Sequence, residues 1–391
     1  MSRKADRRVA REGADGEVSS LPALSSLSDV PTLEDLTPTA EQTAALCQVV
    51  DRLAREGVDA GEACLGCVVR LDRGFPAVAV EGDLIRAEHS VRLAKGDETR
   101  PAVGDWVAVR RPAGHDMGVI EGVLPRRSEL ARWRGGARGE RQTLAANVDV
   151  VLVAQQLADA PLDCDHIARS VVVALDGRAK AAVVLTKADR AGVPGLVRDV
   201  SRVRLVMGDD VDVVACAATD DDALLAELEH AAASAGAGWG LDAIGALVGT
   251  GRVGIVLGES GAGKSTLLNG LLGHEALEVG EVRAHDDAGR HTTVARRMVH
   301  LSGRGTIVDA PGLRSLPLVG HERGLMRAFP EISDAARTCR FRDCTHTGEP
   351  GCGVRAALDE GEFPPERLDV YLALASEMRR SAKTLDPDVV L

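Results

Sequence analysis

Long apolar runs are missing from this 391-residue chain. Nothing in it approaches the ~18 apolar residues that a membrane-spanning helix needs. Met1 to Gly16 are charged and hold no apolar core of the kind a secretory leader carries. The expectation is a protein of the cytoplasm with no membrane partner. A basic excess is missing too: Lys and Arg total 47 against 59 Asp and Glu, a formal charge of -12. The chain average therefore carries no electrostatic footprint for nucleic acid, and any such contact must come from a local cluster. Lysine is scarce, limited to Lys4, Lys95, Lys180, Lys187, Lys264 and Lys383, so a lysine inside a motif is less easily read as filler. Eight cysteines without a leader argue against a disulfide framework. Three of them crowd the stretch from Cys339 to Cys352, which points to a metal.

The length implies two or three domains. The polar opening stretch predicts disorder, followed by a short helix over Ala40–Glu56. Within 61–125, short β-rich runs (Cys67–Leu71, Ala77–Val80, Trp106–Val109) alternate with turns and predict a small barrel. Cys64 and Cys67 read as small buried residues of a barrel strand. From Val148 onward, apolar strands (Val148–Val153, Ala181–Leu185, Val211–Ala215, Val253–Leu257, Thr306–Val308) alternate with helical stretches such as Asp165–Leu175 and Ala223–Ala235. That alternation predicts a parallel α/β sheet. The chain then turns Arg- and Cys-rich and ends in a helix around Leu368–Arg380.

Gly258-Glu259-Ser260-Gly261-Ala262-Gly263-Lys264-Ser265 fits G-x-x-x-x-G-K-[ST], between an apolar strand and a helix that starts at Thr266. Small residues let backbone N–H groups approach phosphates, the lysine reaches the β- and γ-phosphates, and the serine binds Mg²⁺. Thr186-Lys187-Ala188-Asp189 follows a buried strand and resembles the [N/T]-K-x-D guanine motif. The Asp189 carboxylate can accept from guanine N1–H and the 2-amino group, donors that adenine lacks there. Cys216-Ala217-Ala218-Thr219 takes the place of the element that contacts guanine O6, with Cys216 standing where serine is usual. Asp309-Ala310-Pro311-Gly312 fits D-x-x-G: Asp309 toward Mg²⁺ and the Gly312 N–H toward the γ-phosphate. Gly289-Arg290-His291-Thr292-Thr293 supplies the threonine of a first switch, and either Thr292 or Thr293 suits the role. Leu313 stands where many GTPases carry a water-orienting glutamine, so intrinsic hydrolysis should be slow. His291 is a candidate for the missing group, and a solvated loop histidine is the other reading. Cys339-x4-Cys344-x-His346-x5-Cys352 offers three thiolates and an imidazole, a closed tetrahedral shell for one structural zinc. Arg126, Arg127, Arg132, Arg134, Arg138 and Arg141, with Trp133, form a local basic cluster suited to RNA phosphates; a charged linker is the alternative.

The order is base motif, base companion, phosphate loop, switches, a circular permutation of the usual GTPase order. At this point the chain resembles the RsgA family, circularly permuted GTPases that mature the small ribosomal subunit. The resemblance runs from about residue 61 to about residue 380. It also rests on Val103-Gly104-Asp105-Trp106-Val107, Leu124-Pro125-Arg126-Arg127-Ser128, Ala145-Ala146-Asn147-Val148-Asp149 and Cys339 to His346. It implies an OB-fold at 61–125, an Arg-rich connection at 126–144, a permuted P-loop GTPase at 145–317 and a mainly α, zinc-binding domain at 318–391. A partly disordered extension, 1–60, precedes them and is not covered. The implied activity is hydrolysis of GTP to GDP and phosphate, a release timer for a monomer bound to the small subunit and its rRNA late in maturation. The alternative is an RNA-binding assembly factor with nucleotide as a static ligand.

Overall fold

The computed structural model describes residues 24, 27–59, 63–72, 75–95, 99–115, 117–134, 140–275, 296–310 and 318–385. The opening stretch expected to be disordered lies outside them. Helix α1 (Ala40–Arg55) bears out the predicted helix and is closed by a capping box between Thr39 and Gln42. Five strands then form a barrel: β1 (Ala63–Asp72), β2 (Phe75–Val80), β3 (Asp83–His89), β4 (Trp106–Arg110) and β5 (Gly118–Val123), with the short α2 (Val91–Lys95) after β3. Pairing runs β1-β2-β3-β5-β4 and returns to β1, so the sheet closes on itself. Val68, Val78, Val107, Val109 and Ile120 fill the interior. Closure leaves no free edge, the five-stranded OB-type solution. Cys67 is buried in β1 as expected.

Residues 126–144, expected as a connection, form most of a hairpin of β6 (Glu129–Arg134) and β7 (Glu140–Ala146), which runs on into the stretch expected to open the next domain. Arg126 is not free for RNA. Its guanidinium is fastened to the fully buried Asp105 at 2.7 and 2.8 Å and to Glu129 at 2.9 Å. Burial raises the pKa of Asp105 against the pull of Arg126. Arg127 pairs with Asp149. Asn147, at φ 56°, donates to the Gly104 carbonyl and accepts from Gln42 and the Arg127 N–H. These residues make the joint between barrel and α/β unit, which is the physical content of three of the sequence motifs. The side chains of Arg132, Trp133, Arg134 and Arg141, and all of Arg138, lie outside the described residues.

The α/β unit comprises β8 (Val150–Gln156), α3 (Cys164–Asp176), β9 (Lys180–Thr186), α4 (Ala188–Met207), β10 (Asp212–Ala215), α5 (Asp222–Ser234), β11 (Gly238–Trp239), α6 (Gly240–Val248), β12 (Val253–Leu257), α7 (Lys264–Leu272), β13 (Arg296–Leu301) and β14 (Gly305–Asp309). The sheet order is β11-β10-β9-β8-β12-β14-β13, parallel except for β13. β8 and β9 read as unbroken apolar runs because helices cover both faces. Asp163 and Asp221 cap α3 and α5, while Gly192 breaks α4 two residues before Pro194. Strand β13 pairs with β1, so this sheet runs on into the barrel.

Helices α8 (Glu322–Ala328), α9 (Pro330–Ala336), α10 (Gly353–Glu360) and α11 (Pro365–Leu385) follow. They dock on α3 and α4. A Cβ on Gly324 would lie 2.1 Å from the Val172 carbonyl oxygen, so α8 approaches α3 as only glycine permits. Asp176 accepts from the Gly324 N–H at 3.1 Å and meets His321 at 3.0 Å. Arg169 of α3 pairs with Glu377 of α11, and buried Arg367 donates to the Val206 carbonyl at the end of α4. Among the described residues no helix is long and apolar enough to cross a membrane.

Candidate nucleotide-binding site

In the sheet, β8, β9 and β10 progress to one side while β12 and β14 lie on the other, so the direction of winding reverses between β8 and β12. Open α/β sheets bind ligands at the carboxyl ends of strands beside such a reversal. The predicted motifs sit there. Gly258–Ser265 leaves β12, Thr186–Asp189 leaves β9, Cys216–Thr219 leaves β10, and Asp309 ends β14.

The loop must be glycine-rich for steric reasons. Gly258 has φ 155°, and a Cβ there would stand 2.4 Å from the Ala154 carbonyl oxygen. Gly261 and Gly263 take φ of 83° and 81°, the left-handed region that L residues avoid. Helix α7 starts at Lys264 behind Gly263 with no side-chain cap. Its first N–H groups therefore face an anion site with the positive end of the helix dipole behind them. Lys264 Nζ lies over the loop, donating to the Gly258 and Glu259 carbonyls at 2.7 and 2.6 Å.

Base motif and phosphate loop are tied directly. Thr186 Oγ1 donates to the Ala262 carbonyl at 2.8 Å, and Lys187 Nζ donates to the Gly261 carbonyl at 2.6 Å and to Gln156 Oε1 at 2.7 Å. Lys187 has φ 58°, the turn that swings Ala188 and Asp189 into the first turn of α4. Burial lowers its pKa and Arg190 adds to this, with Asp189 opposing. The Cys216 N–H donates to the Leu185 carbonyl, and its own carbonyl accepts from the Ala188 N–H. Burial pushes the Cys216 thiol up to about 11, so it is neutral near pH 7.

These pieces enclose a cavity of about 420 Å³ lined by Thr186, Lys187, Asp189, Cys216, Ala217, Thr266 and Leu241 among others. An apolar pocket with a few converging polar groups beside an anion-binding loop suits a purine nucleotide. Leu241 and Gln156 escaped sequence reasoning: both come from elements distant in sequence, and no motif names them. Asp309 follows Val308, the register partner of Ile255, and so ends β14 near the end of β12, from which the loop departs. Burial raises its pKa, opposed by Arg297 at 3.7 Å. His291, Thr292, Thr293, Gly312 and Leu313 lie outside the described residues.

At the far end of the chain, Cys339, Cys344, His346 and Cys352 bring four ligand atoms within 4.8 Å of one another. His346 Nδ1 is 3.5 Å from both Cys339 Sγ and Cys352 Sγ, which are 4.0 Å apart. Burial works against the Cys339 thiolate, yet hydrogen bonds from the Val354 and Gly353 N–H groups and from the Cys344 and Cys352 thiols together lower its pKa. Desolvation and the neighbouring thiols push Cys344 up to about 12. Three sulfur ligands and one imidazole nitrogen gathered in one small volume are a donor set suited to a soft cation. The cluster could hold a metal ion.

Comparison with known proteins agrees with this geometry. Residues 123–319 match the family model described as RsgA GTPase. The small ribosomal subunit biogenesis GTPase RsgA of Streptomyces avermitilis is 41% identical over 321 residues, covering 82% of this chain and 81% of that protein. Its namesake in Methanosarcina acetivorans is 34% identical over 306 residues, covering 78% and 77%. Among solved structures, YjeQ from Thermotoga maritima superposes with a TM-score of 0.58 at 23% identity, over 81% of this chain and 99% of that one. YloQ, described as a circularly permuted GTPase, gives 0.54 at 22% identity, over 82% and 96%. At those identities the structures speak for the fold: OB barrel, permuted GTPase sheet and C-terminal helices.

Proposed function

The chain belongs to the RsgA family of GTPases, and from that premise we propose that it binds the small ribosomal subunit late in maturation and hydrolyses GTP to time its own release. The observation that carries this is the tie between base motif and phosphate loop, Thr186 Oγ1 to the Ala262 carbonyl at 2.8 Å, in a cavity lined by Asp189. In this reading Asp189 accepts from guanine, Lys187 lays its aliphatic stem along the base, and Cys216, held by its bonds to Leu185 and Ala188, places the Ala217 backbone toward O6. The N–H groups of residues 258–266 hold the phosphates, with Lys264 swinging onto the β- and γ-phosphates. Ser265 and Asp309 would hold a magnesium ion, which would draw charge off the phosphate oxygens. Thr292 or Thr293 engages the GTP state, the Gly312 N–H meets the γ-phosphate, and His291 is the candidate for orienting water. Lacking a glutamine at Leu313, the site hydrolyses slowly until the ribosomal partner completes it.

The C-terminal cluster would hold one structural zinc through Cys339, Cys344, His346 and Cys352. Bonds of ~2.3 Å to sulfur and ~2.05 Å to nitrogen at tetrahedral angles set edges of about 3.8 Å between sulfurs and about 3.6 Å from sulfur to nitrogen. The 4.0 and 3.5 Å separations among Cys339, His346 and Cys352 fit that shell, and Cys344 completes the set within 4.8 Å. The protein acts as a monomer in the cytoplasm, and rRNA contact comes from the β6–β7 hairpin. Co-sedimentation tests the reading. The protein should travel with small subunits in the presence of a non-hydrolysable GTP analogue and stay behind with GDP. Equal binding in both states would remove the timer.

A further inference from the structure

Strand β11 is only Gly238–Trp239, parallel to β10 with Trp239 level with Ala215. It therefore ends where Cys216 and the residues after it leave the sheet. Gly240, at φ 82°, turns the chain there in the left-handed region, and α6 starts at once. Leu241 is thus delivered to the carboxyl edge of the sheet, beside the base companion, where it lines the cavity.

Helix α6 is fastened to the phosphate-loop helix. Leu241, Ile244 and Val248 share one helical face by their spacing. Ile244 and Val248 are buried in one cluster with Leu267, Leu268 and Leu271 of α7. Arg304 pairs with Asp242 of α6 and donates to the Leu271 carbonyl of α7 at 3.3 Å. A Cβ on Gly270 would stand 2.9 Å from Leu241 Cδ1, so the glycine leaves the seat that this leucine takes against α7. Leu241 is only partly buried at the margin of that cluster and so turns apolar surface to the cavity. The junction of the permuted order falls between Thr219 of the base companion and Gly258 of the phosphate loop, and α6 lies inside it. This wall of the cavity therefore comes from the segment that joins the permuted halves.

We propose that Leu241 is a binding residue for the base, an apolar platform that covers a face of guanine while Asp189 reads its edge. This rests on the reading of the cavity as the base site. Lys187 leaves β9 and reaches Gln156 of β8, whereas Leu241 arrives from β11, so the base meets apolar surface from two directions. Covering a purine face with aliphatic carbon takes apolar surface of both out of water. The contact is made to the base and not to the phosphates, so it favours GDP and GTP equally.

The test uses the full chain, titrated with GDP and with a non-hydrolysable GTP analogue, and with inorganic pyrophosphate as a competitor that has no base. Leu241→Ala removes the platform while Ile244 and Val248 keep α6 docked. Half the burial of a leucine side chain corresponds to about a fivefold to tenfold change. Leu241→Ala should weaken GDP and the analogue alike by that factor and leave pyrophosphate unchanged. Leu241→Met should restore both nucleotides. Weakening of pyrophosphate by the same factor would make Leu241 a structural support of the phosphate loop. Unchanged nucleotide affinities, or a failure of methionine to restore them, would show that the base does not rest on it. Each of these overturns the proposal. The base-site reading is checked separately: GDP affinity indifferent to Asp189→Asn would put the base elsewhere and remove both claims. Loss at Asp189 without loss at Leu241 would overturn the platform alone.

Discussion

Thr186→Val removes one hydroxyl and keeps the shape of the side chain, so it isolates the bond that joins guanine motif to phosphate loop. Thr186 is 4% exposed and Ala262 2%, and the bond between them measures 2.8 Å. Valine leaves the Ala262 carbonyl dry and unpaired, at a cost of ~1–3 kcal/mol. If the loop stays in place, the cost appears as lost stability. About 2 kcal/mol in a domain of this size lowers Tm by about 4–8 °C. If the loop instead shifts to let the carbonyl reach water, stability recovers and the phosphates lose their cradle. The same energy then weakens GDP by about thirtyfold. Thermal unfolding and GDP titration on the same preparations separate the two routes. Thr186→Ser, which keeps the hydroxyl, should bind GDP nearly as the unaltered chain does. A valine variant matching the unaltered chain in both Tm and GDP affinity would refute the idea that this bond organises the site.

Asp189→Asn should lower GTP affinity and raise that for xanthosine triphosphate, because an amide can donate to the 2-oxo group; competition binding with both nucleotides checks it. One zinc per chain is expected by elemental analysis, and Cys344→Ser should lose it and loosen residues 318–385 while GDP binding persists. Gly324→Ala drives a Cβ to 2.1 Å from the Val172 carbonyl oxygen, so α8 must move off α3. Faster hydrogen exchange in the C-terminal helices, with unchanged exchange in the barrel, is the expected outcome.

The nucleotide and metal motifs were legible in the sequence because their chemistry admits few residue types. The tight loop demands glycine at 258, where a Cβ would strike the Ala154 carbonyl, and favours it at 261 and 263, where φ is positive, and a tetrahedral shell demands soft ligands at short spacing. The parallel strands were legible for a similar reason, since β8, β9 and β12 are apolar on both faces. Strands β6, β7 and β13 were not, because charged stretches such as Arg296-Arg297 carry no period; β6 and β7 form by pairing with each other, and β13 by pairing with β14 and with the distant β1. Helix α4 was hidden by its break at Gly192 and by Pro194. The Arg-rich segment showed charge without showing partners: Arg126 reads as a phosphate ligand until Asp105 is placed beneath it. Leu241 joins the cavity, and Gln156 meets Lys187, only once α6 and β8 are folded against α7 and β9.

Single-turnover release of phosphate from GTP, measured with the protein alone, with large subunits and with small subunits, bears most directly on the central claim. Slow release alone and with large subunits, and clear acceleration by small subunits that Asp309→Ala abolishes, is the predicted result. Release that small subunits leave unchanged, from protein shown to be loaded with GTP and bound to them, would contradict it and leave the nucleotide a static ligand.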